Sequence, residues 1–345
     1  MRHSRTVNRW WILVGALVGA ACGGGDDGAG VAVEDVEVPE GFEVTEVRSG
    51  LVGPSQISPG PDGTLLVAQL NGGEGDGTGQ VLLLDPGSDA EPTVLFDGLQ
   101  KPTGVALLED EVWVMEERTL SRGSLAGGEL EVVLDDLPYN GRSEGTLSTT
   151  TDGRLLYNTS GTIDGTAAAD GSGILWALTP GGQPEELARG FKHAYARTYD
   201  DAGTLWQTEM SDGTYDGEPA PDELVAVAPG DDFGWPRCIG DGQPVTFYEG
   251  TAEICASTPP SQALFDPGAT PTSVAIAPWD GEVLLVALWN QGRVVSVSRQ
   301  QGDGPVPITD FLTGVANPQH LLADGDRLLL TDFTGGRLLA ITPTT

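Results

Sequence analysis

A turn-and-strand unit that recurs six times along the chain constrains the fold more than any other feature of the sequence. Each copy has a glycine-containing turn, often followed by proline, that leads into a largely apolar strand. The copies begin near residues 50, 98, 137, 190, 267 and 314, and those at 50–57, 98–105 and 314–321 match each other best. A repeat with this period indicates copies of one small structural unit that build a shared core.

Each copy continues with a second turn and an apolar strand, as in the segments 62–67, 152–157 and 324–330. The Asp-Gly pairs in these turns suit tight hairpins, whose central residues adopt positive φ. The chain has 50 glycines and 24 prolines in 345 residues and no sustained helical period, as expected for many short strands joined by turns. The sequence therefore predicts an all-β fold, a six-bladed β-propeller over residues 39–345.

The N-terminus has the features of an export signal. Three arginines precede a short apolar run, and small residues stand directly before Cys22. We expect residues 1–21 to be a lipoprotein-type signal peptide, Cys22 to be acylated, and residues 22–38 to form a flexible linker rich in glycine and acidic residues. Ordinary secretion without lipidation is the alternative. In both cases the mature chain is exported, to the periplasm or the outer surface.

The fourth copy is the longest and interrupts the repeat. It extends from residue 190 to 267, and we predict an insertion at about 207–266 in the fourth blade. The insertion contains Cys238 and Cys255. Because an exported protein meets an oxidising environment, these two cysteines are expected to form a disulfide.

The formal charge of −34 bears on the partners of the protein. A surface this acidic repels phosphate backbones, so nucleic acid is not expected as a partner. The apolar run at the N-terminus is too short to span a bilayer stably, so contact with a membrane is expected only through the lipid anchor.

Polar residues at equivalent positions of the six copies identify the expected site. In a propeller the first strand of each blade lines a central channel, and the loops at one end build the site. Blade entrances place around one mouth of the channel Gln56, Thr103, Arg142, Glu144, Lys192, His193, Thr270, Gln319 and His320. Ends of the second strands add Gln69, Asn71, Glu116, Glu117, Glu209, Asn290 and Asp332. The alternative for each residue is a hydrogen-bonded polar group that holds a blade entrance.

Motifs of several common site types are absent from the sequence. It contains no P-loop, no dinucleotide-binding glycine turn, no His-Glu-x-x-His and no cysteine cluster with metal-ligand spacing. Acidic residues such as Asp222 and Glu223 have the oxygen ligands that calcium prefers. A solvated acidic loop is the alternative for them.

Four motifs follow one another from residue 39 to the end of the insertion. They are Pro39-Glu40-Gly41-Phe42, Gly190-Phe191-Lys192-His193, Asp222-Glu223-Leu224, and Gly230-x-x-Phe233-Gly234-Trp235-Pro236-x-Cys238. In this order they resemble the glucose/sorbosone dehydrogenase family, and the last motif is the most specific. The resemblance covers residue 39 to the C-terminus. It implies a six-bladed propeller that binds pyrroloquinoline quinone (PQQ) and calcium and oxidises aldose sugars, passing electrons to an acceptor.

The resemblance also assigns roles to individual residues. The position of the family's base histidine is Arg142, whose guanidinium stays protonated and cannot take a proton. Glu144 or His193 is therefore the candidate base. PQQ carries three carboxylates, so cations near the mouth are expected to bind it. The expected cofactor-binding residues are Lys192, Arg197, Gln319, His320 and Arg337, and the expected metal ligands are Asp222 and Glu223.

Two other functions remain open at the level of the sequence. The first is a non-catalytic lipoprotein propeller that binds a sugar, a polymer or a protein partner. The second is a calcium-dependent lactonase, which would require Glu116, Asn290 and Asp332 to converge on the channel axis.

Overall fold

Six antiparallel sheets, five of four strands and one of five, form a β-propeller, as the repeat predicts. The structure is a computed structural model that describes residues 31–142, 144–211, 213–300 and 304–344. The predicted signal peptide and Cys22 lie outside the described residues. Within the described ranges, the helices are too short or too polar to cross a membrane.

We number the blades in chain order and give their strands from the innermost outward. Blade 1 contains Pro54–Pro59, Leu65–Gln69, Gly79–Leu84 and Thr93–Leu99; blade 2 contains Gly104–Leu108, Glu111–Met115, Leu120–Ser124 and Glu131–Leu134; blade 3 contains Ser148–Thr149, Leu155–Thr159, Ile174–Leu178 and Pro184–Arg189. Blade 4 contains Ala194–Tyr199, Leu205–Glu209, Asp222–Val227 and Ser261–Phe265; blade 5 contains Pro271–Ala277, Asp280–Leu288, Arg293–Ser298 and Ile308–Thr313; blade 6 contains Pro318–Asp324, Arg327–Asp332, Arg337–Pro343 and Phe42–Arg48.

The ring closes in blade 6, where strands from both ends of the chain pair. Phe42–Arg48 runs antiparallel to Arg337–Pro343, and Val31–Ala32 adds a fifth strand outside it. The Arg337 guanidinium also binds the Asp35 carboxylate at 3.2 Å. Because strands from both ends of the chain pair in one sheet, hydrogen bonds close the ring.

Apolar residues fill the space between neighbouring blades. Leu66 and Val81 of blade 1, for example, pack with Val105 and Val114 of blade 2, and all four are fully buried. Because the two neighbouring blades cover both faces of a sheet, several second strands contain continuous apolar runs, as in Glu111–Met115 and Asp280–Leu288. At the axis, polar side chains tie the blades together: the Gln56 amide donates to the Leu147 carbonyl at 2.7 Å, and its oxygen accepts from the backbone N–H groups of Val105 and Leu147.

The Asp-Gly turns follow the expected geometry only in part. Asp62 and Gly63 both have positive φ, at 52° and 79°. In Asp152-Gly153 and Asp324-Gly325 the glycine alone has positive φ, and Asp280-Gly281 has none. The hairpins thus differ in turn type, and an Asp-Gly pair does not by itself determine which turn type forms.

The structure divides the long fourth copy into regular strands and two added segments. The predicted insertion includes the two outer strands of blade 4. The added segments are a hairpin, Thr214–Tyr215 with Glu218–Pro219, and residues 228–260, which contain the strand pair Cys238–Ile239 and Gln243–Pro244, the 3-10 turn Thr246–Tyr248 and the short helix Ala252–Cys255. Cys238 and Cys255 form the expected disulfide. Three further elements lie outside the blades, namely the hairpin Ile163–Asp164 with Ala167–Ala168 and the 3-10 turns Pro61–Gly63 and Trp289–Gln291.

Candidate functional site

The blade entrances meet at a central cavity of about 400 Å³. All six blades contribute to its wall, since the first strands surround the axis and each begins at the same end of the ring. Among the predicted rim residues, the wall contains Thr103, Arg142, His193, Thr270, Asn290 and Gln319. These six residues therefore line one cavity, whereas the other predicted rim residues, such as Gln56, Glu144 and His320, are not in its wall.

Lys101 and Arg142 bring positive charge to this cavity. Lys101 is buried, and its ammonium group forms an ion pair with the Glu74 carboxylate at 2.7 Å. The same ammonium group donates to the backbone carbonyl of Arg142, which also accepts from the Tyr139 hydroxyl. Sequence reasoning did not include Lys101 among the cofactor-binding residues, although it stands directly before the entrance proline of the second copy and is one of two lysines in the chain.

His193 lies in the cavity wall, and residues of its own blade hold it in place. Its ring packs edge-on against Tyr195, with 5.7 Å between ring centroids. The Tyr195 hydroxyl accepts a 2.8 Å hydrogen bond from the Gln319 amide, and burial raises the pKa of this phenol. The backbone N–H of His193 donates to the carboxylate of Glu209 at 3.1 Å, so the end of the second strand in blade 4 positions the entrance residue.

Glu144 is fully buried and is not in the cavity wall. Its carboxyl accepts hydrogen bonds from the Ser160 hydroxyl and, at 3.2 Å, from the Asn158 amide. Burial raises the pKa of Glu144 to about 8, and the Ser160 hydrogen bond only partly offsets this. The group is therefore largely protonated at neutral pH.

Arg197 belongs to the same buried network. Its guanidinium donates to Asn158 Oδ1 at 3.0 Å and to Gln207 Oε1 at 2.9 Å. Four backbone carbonyls also accept from it, those of Thr146, Leu156, Ala194 and Tyr195. Burial lowers the pKa of Arg197 to about 9. The structure thus places this side chain between blades 3 and 4, outside the cavity wall.

The other expected cofactor-binding residues are dispersed. Gln319 is in the wall, whereas His320, the next residue, faces the interior, where burial lowers its pKa to about 3. Arg337 binds Asp332 at 2.8 Å and Asp35 at 3.2 Å, at the closure of the ring. Lys192 lines a neighbouring groove. The structure therefore brings only Gln319 of this set into the central cavity.

Asp222 and Glu223 accept hydrogen bonds from blade 4, from an added segment and from the entrance of blade 5. Asp222 binds the N–H groups of Ser211 and Thr270, at 2.9 and 2.8 Å. Glu223 binds the N–H of Gly240 at 2.9 Å and the Ser261 hydroxyl. Asp222 thus fastens blade 4 to the entrance of blade 5.

Glu209 and Glu223 both line a small cavity of about 20 Å³. Burial raises the pKa of both groups, and for Glu209 the charges of Glu223 and Asp222 add to this effect. Over the described ranges, no group of three or more His, Cys, Asp or Glu side chains has the arrangement of a metal site. Two carboxylates around a space of this size have the ligand chemistry of a hard cation, with the remaining ligands to come from water or carbonyl oxygens.

The three residues required for a lactonase are committed to other contacts. Glu116 accepts from the Gln100 N–H at 2.6 Å, and Asp332 binds Arg337 at 2.8 Å. Asn290 donates to the Gly268 carbonyl at 2.9 Å and is the only one of the three in the cavity wall.

Solved structures share this fold across nearly their whole length. The PQQ domain of a pyranose dehydrogenase from Coprinopsis cinerea, in its holo form, superposes with a TM-score of 0.72 at 17% identity, covering 89% of this chain and 97% of that one. The PQQ-bound aldose sugar dehydrogenase from Streptomyces coelicolor gives 0.68 at 20% identity, covering 89% and 99%. A calcium structure of a Trichoderma reesei carbohydrate-active enzyme of family AA12 gives 0.70 at 15% identity, covering 90% and 97%.

Sequence comparison adds no further relatives. No protein-family model matches the chain, and no curated protein matches it. The chain therefore shares the six-bladed fold of PQQ-dependent sugar dehydrogenases, and identities of 20% or less establish the fold alone.

Proposed function

We propose that this protein is an exported sugar dehydrogenase that oxidises an aldose with PQQ and calcium. One observation carries the proposal: the six blade entrances converge on a polar cavity whose wall contains Lys101, Arg142 and His193. Cations and a histidine in one cavity are what a tricarboxylate quinone and a proton-transfer step require. The bound cofactors of the structural neighbours support the same assignment.

The cavity suits PQQ in volume, and Arg142 gives its wall a positive charge in addition to the ion pair of Lys101 with Glu74. Its volume of about 400 Å³ lies in the range of small-molecule sites. Lys101 and Arg142 would hold carboxylates of the quinone, and Thr103, Asn290 and Gln319 offer polar contacts around the wall. When bound, PQQ accepts the hydride that leaves the sugar.

His193 is the residue of this cavity suited to act as base. Taking the proton from the anomeric hydroxyl of an aldose requires a group that is neutral and reaches the substrate. Arg142 reaches the cavity but stays protonated. Glu144 is buried away from the wall, and its raised pKa keeps it protonated at neutral pH. Glu209, through its hydrogen bonds to the backbone of Lys192 and His193, is a positioning residue.

The calcium proposal rests on Glu223, with Asp222 and Glu209 beside it. Burial makes the ionised forms of Glu209 and Glu223 costly, and a divalent cation in the small cavity between them would offset that cost. The site is next to the backbone of Lys192 and His193, because the N–H groups of both residues donate hydrogen bonds to the Glu209 carboxylate. Calcium bound there would stabilise the entrance of blade 4.

Reconstitution with PQQ and calcium tests the proposal. The purified chain is titrated with PQQ in the presence of calcium and followed by quinone absorbance, and aldoses are then added with an artificial electron-accepting dye. Lys101→Gln is expected to raise the PQQ dissociation constant about tenfold or more, because a charge-assisted contact is lost. His193→Asn is expected to keep PQQ binding and abolish dye reduction.

Two controls make this experiment decisive. Glu144→Gln is expected to reduce the dye at a rate close to that of the wild type, and loss of activity in this variant instead of His193→Asn would move the role of base to Glu144. Arg299→Gln, directly after the third strand of blade 5, controls for the loss of a charge outside the cavity. An absence of PQQ binding would refute the proposal.

A non-catalytic sugar- or partner-binding propeller is the second candidate. Arg142 favours it, because this cation stands where the resemblance places the family's base. The reconstitution separates the two functions, since binding of PQQ or sugar without any dye reduction assigns the chain to the second.

We also propose that the protein is exported and anchored through an acylated Cys22. The disulfide between Cys238 and Cys255 supports export, since such bonds persist in oxidising compartments. Growth with labelled palmitate is expected to label the wild type and not Cys22→Ser. Equal labelling of both proteins would refute the anchor.

A further inference from the structure

We propose that a groove beside the central cavity binds an oligosaccharide chain, so that the substrate is the end of a sugar polymer. The inference rests on the proposed function in one respect only, namely that the sugar ring at the end of the bound chain is the one that is oxidised. The groove, here called the side groove, has a volume of about 510 Å³. Its lining includes Tyr139, Asn140, Lys192, Tyr215, Trp235 and Tyr248.

Four aromatic residues line the side groove, Tyr139, Tyr215, Trp235 and Tyr248. Tyr215 and Trp235 are joined by a 2.8 Å hydrogen bond from the indole N–H to the phenol oxygen. Tyr248 packs edge-on against Tyr215 and against Phe247, whose side chain is 72% exposed. A pyranose ring has apolar C–H faces and a rim of hydroxyl groups, so it stacks on aromatic rings and hydrogen-bonds at its edge. Tyr139 and Tyr248 are half-buried and offer ring surface to a ligand, Tyr215 and Trp235 are buried behind them, and the exposed Phe247 packs on Tyr248.

The added segments of blade 4 hold these rings in position. The Asp216 carboxylate accepts from the backbone N–H groups of Thr246 and Phe247, at 2.6 and 2.9 Å, and from the Thr246 hydroxyl. This contact joins the hairpin to the 3-10 turn that carries Phe247 and Tyr248. On the other side, a Cβ added at Gly161 would lie 2.7 Å from the Trp235 ring, so only glycine fits there.

The side groove adjoins the central cavity. Tyr139 and Asn140 line the groove, and the next two residues of the chain, Gly141 and Arg142, line the cavity. At the blade 4 entrance, Lys192 lines the groove and the following residue lines the cavity. The two hollows are thus separated by two short backbone segments. A sugar chain in the groove would place its end at the cavity.

Charge favours a neutral chain as the ligand. Of the described residues that line the side groove, Lys192 alone is charged. The protein as a whole has a formal charge of −34, which disfavours an acidic polysaccharide. Aromatic rings with amide and hydroxyl groups suit a neutral glycan.

Binding without turnover tests this inference. The probes are β-1,4-linked tetramers of glucose, mannose, xylose and N-acetylglucosamine and the α-1,4-linked glucose tetramer, each compared with its monomer. Affinity is measured without PQQ, by calorimetry and by tryptophan fluorescence. At least one tetramer is expected to bind about tenfold or more tighter than its monomer, because additional rings stack in the groove.

Variants locate the effect in the side groove. Tyr248 lines the groove and Phe247 supports its ring from outside the lining, so in Tyr248→Ala and in Phe247→Ala the ratio of monomer to tetramer dissociation constants is expected to fall toward one. Phe247 is exposed, so its replacement leaves folding intact if the half-buried Tyr248 does not tolerate change. Val132→Ala, at a 55% exposed position of blade 2, is the matched control and is expected to keep the ratio.

The outcomes separate this inference from the proposed function. If no tetramer exceeds its monomer, or if the variants keep the ratio, the inference is overturned even when the protein oxidises aldoses with PQQ. Tight tetramer binding by a chain that does not bind PQQ upholds the groove and refutes the dehydrogenase. Binding of an unstructured peptide library in the groove, with no tetramer bound, would assign the surface to a protein partner and overturn the inference.

Discussion

Replacing Glu144 by glutamine is expected to make the protein more stable at alkaline pH. The carboxyl of Glu144 is fully buried, and its contacts are the Ser160 hydroxyl and the Asn158 amide. Glutamine has the same shape as the protonated acid. Its carbonyl can accept from Asn158, and its amide can donate to the Ser160 hydroxyl, which rotates to accept. The variant therefore removes the ionisation and keeps the packing.

The size of the effect follows from the pKa of Glu144. Burial raises this pKa from 4.5 to about 8. A carboxyl whose pKa is higher in the fold than in the unfolded chain contributes stability below pH 4.5, and this contribution is lost as the pH rises through 8. At about 1.4 kcal/mol for each pH unit between these values, the loss is on the order of 5 kcal/mol. Relaxation around the ionised group makes this an upper bound.

Urea unfolding followed by tryptophan fluorescence at pH 5, 7 and 9 measures this effect. The free energy of unfolding of Glu144→Gln should be close to that of the wild type at pH 5 and exceed it increasingly toward pH 9. Glu209 and Glu223 also favour lower pH, but both proteins contain them, so they cancel in the difference. Glu91→Gln, at an exposed position, is the control and should follow the wild type. Identical pH dependence of Glu144→Gln and the wild type would refute the reasoning.

Three further outcomes are expected from other parts of the structure. Arg197→Met should lower the free energy of unfolding by about 3 kcal/mol or more, measured in urea, because it leaves buried oxygen acceptors without their donor; a variant as stable as the wild type would contradict the network described for this residue. Calcium should raise the melting temperature of the wild type and not that of Glu223→Gln, in differential scanning calorimetry, and an equal rise in both would exclude calcium from the proposed site. Replacing both Cys238 and Cys255 by serine should cost about 3 kcal/mol, the chain-entropy effect of a loop of this length; the variant should also be insensitive to dithiothreitol, and a stability equal to that of the wild type would show that the bond is not formed.

The repeat predicted the blades because each one is specified locally. A turn, an entrance and an alternating or continuous apolar strand lie within one short segment, so the sequence shows six blades without any knowledge of distant contacts. The first strands, such as Pro54–Pro59 and Pro318–Asp324, begin where the motif predicts. The disulfide was also predictable from the sequence, since Cys238 and Cys255 are the only cysteines besides the predicted lipidation site.

Side-chain direction at the entrances was not predictable, and strand bulges are the reason. The pairing between the first and second strands shifts register between Ala194 and Arg197 in blade 4 and between Pro318 and His320 in blade 6. Such a bulge adds a residue and reverses which face the following side chains occupy. Arg197 therefore turns to carbonyl oxygens between blades, and His320 faces the interior while its neighbour Gln319 faces the cavity.

The side groove and the role of Lys101 depend on contacts between blades. Tyr139 of the blade 3 entrance lines the same groove as Tyr215 and Tyr248 because blades 3 and 4 are adjacent in the ring. By itself the sequence determined the number of blades, their strands, the end of the ring at which polar residues gather and the disulfide. The tertiary structure decided which polar residues reach the cavity, because ring closure and bulges set the direction of each side chain.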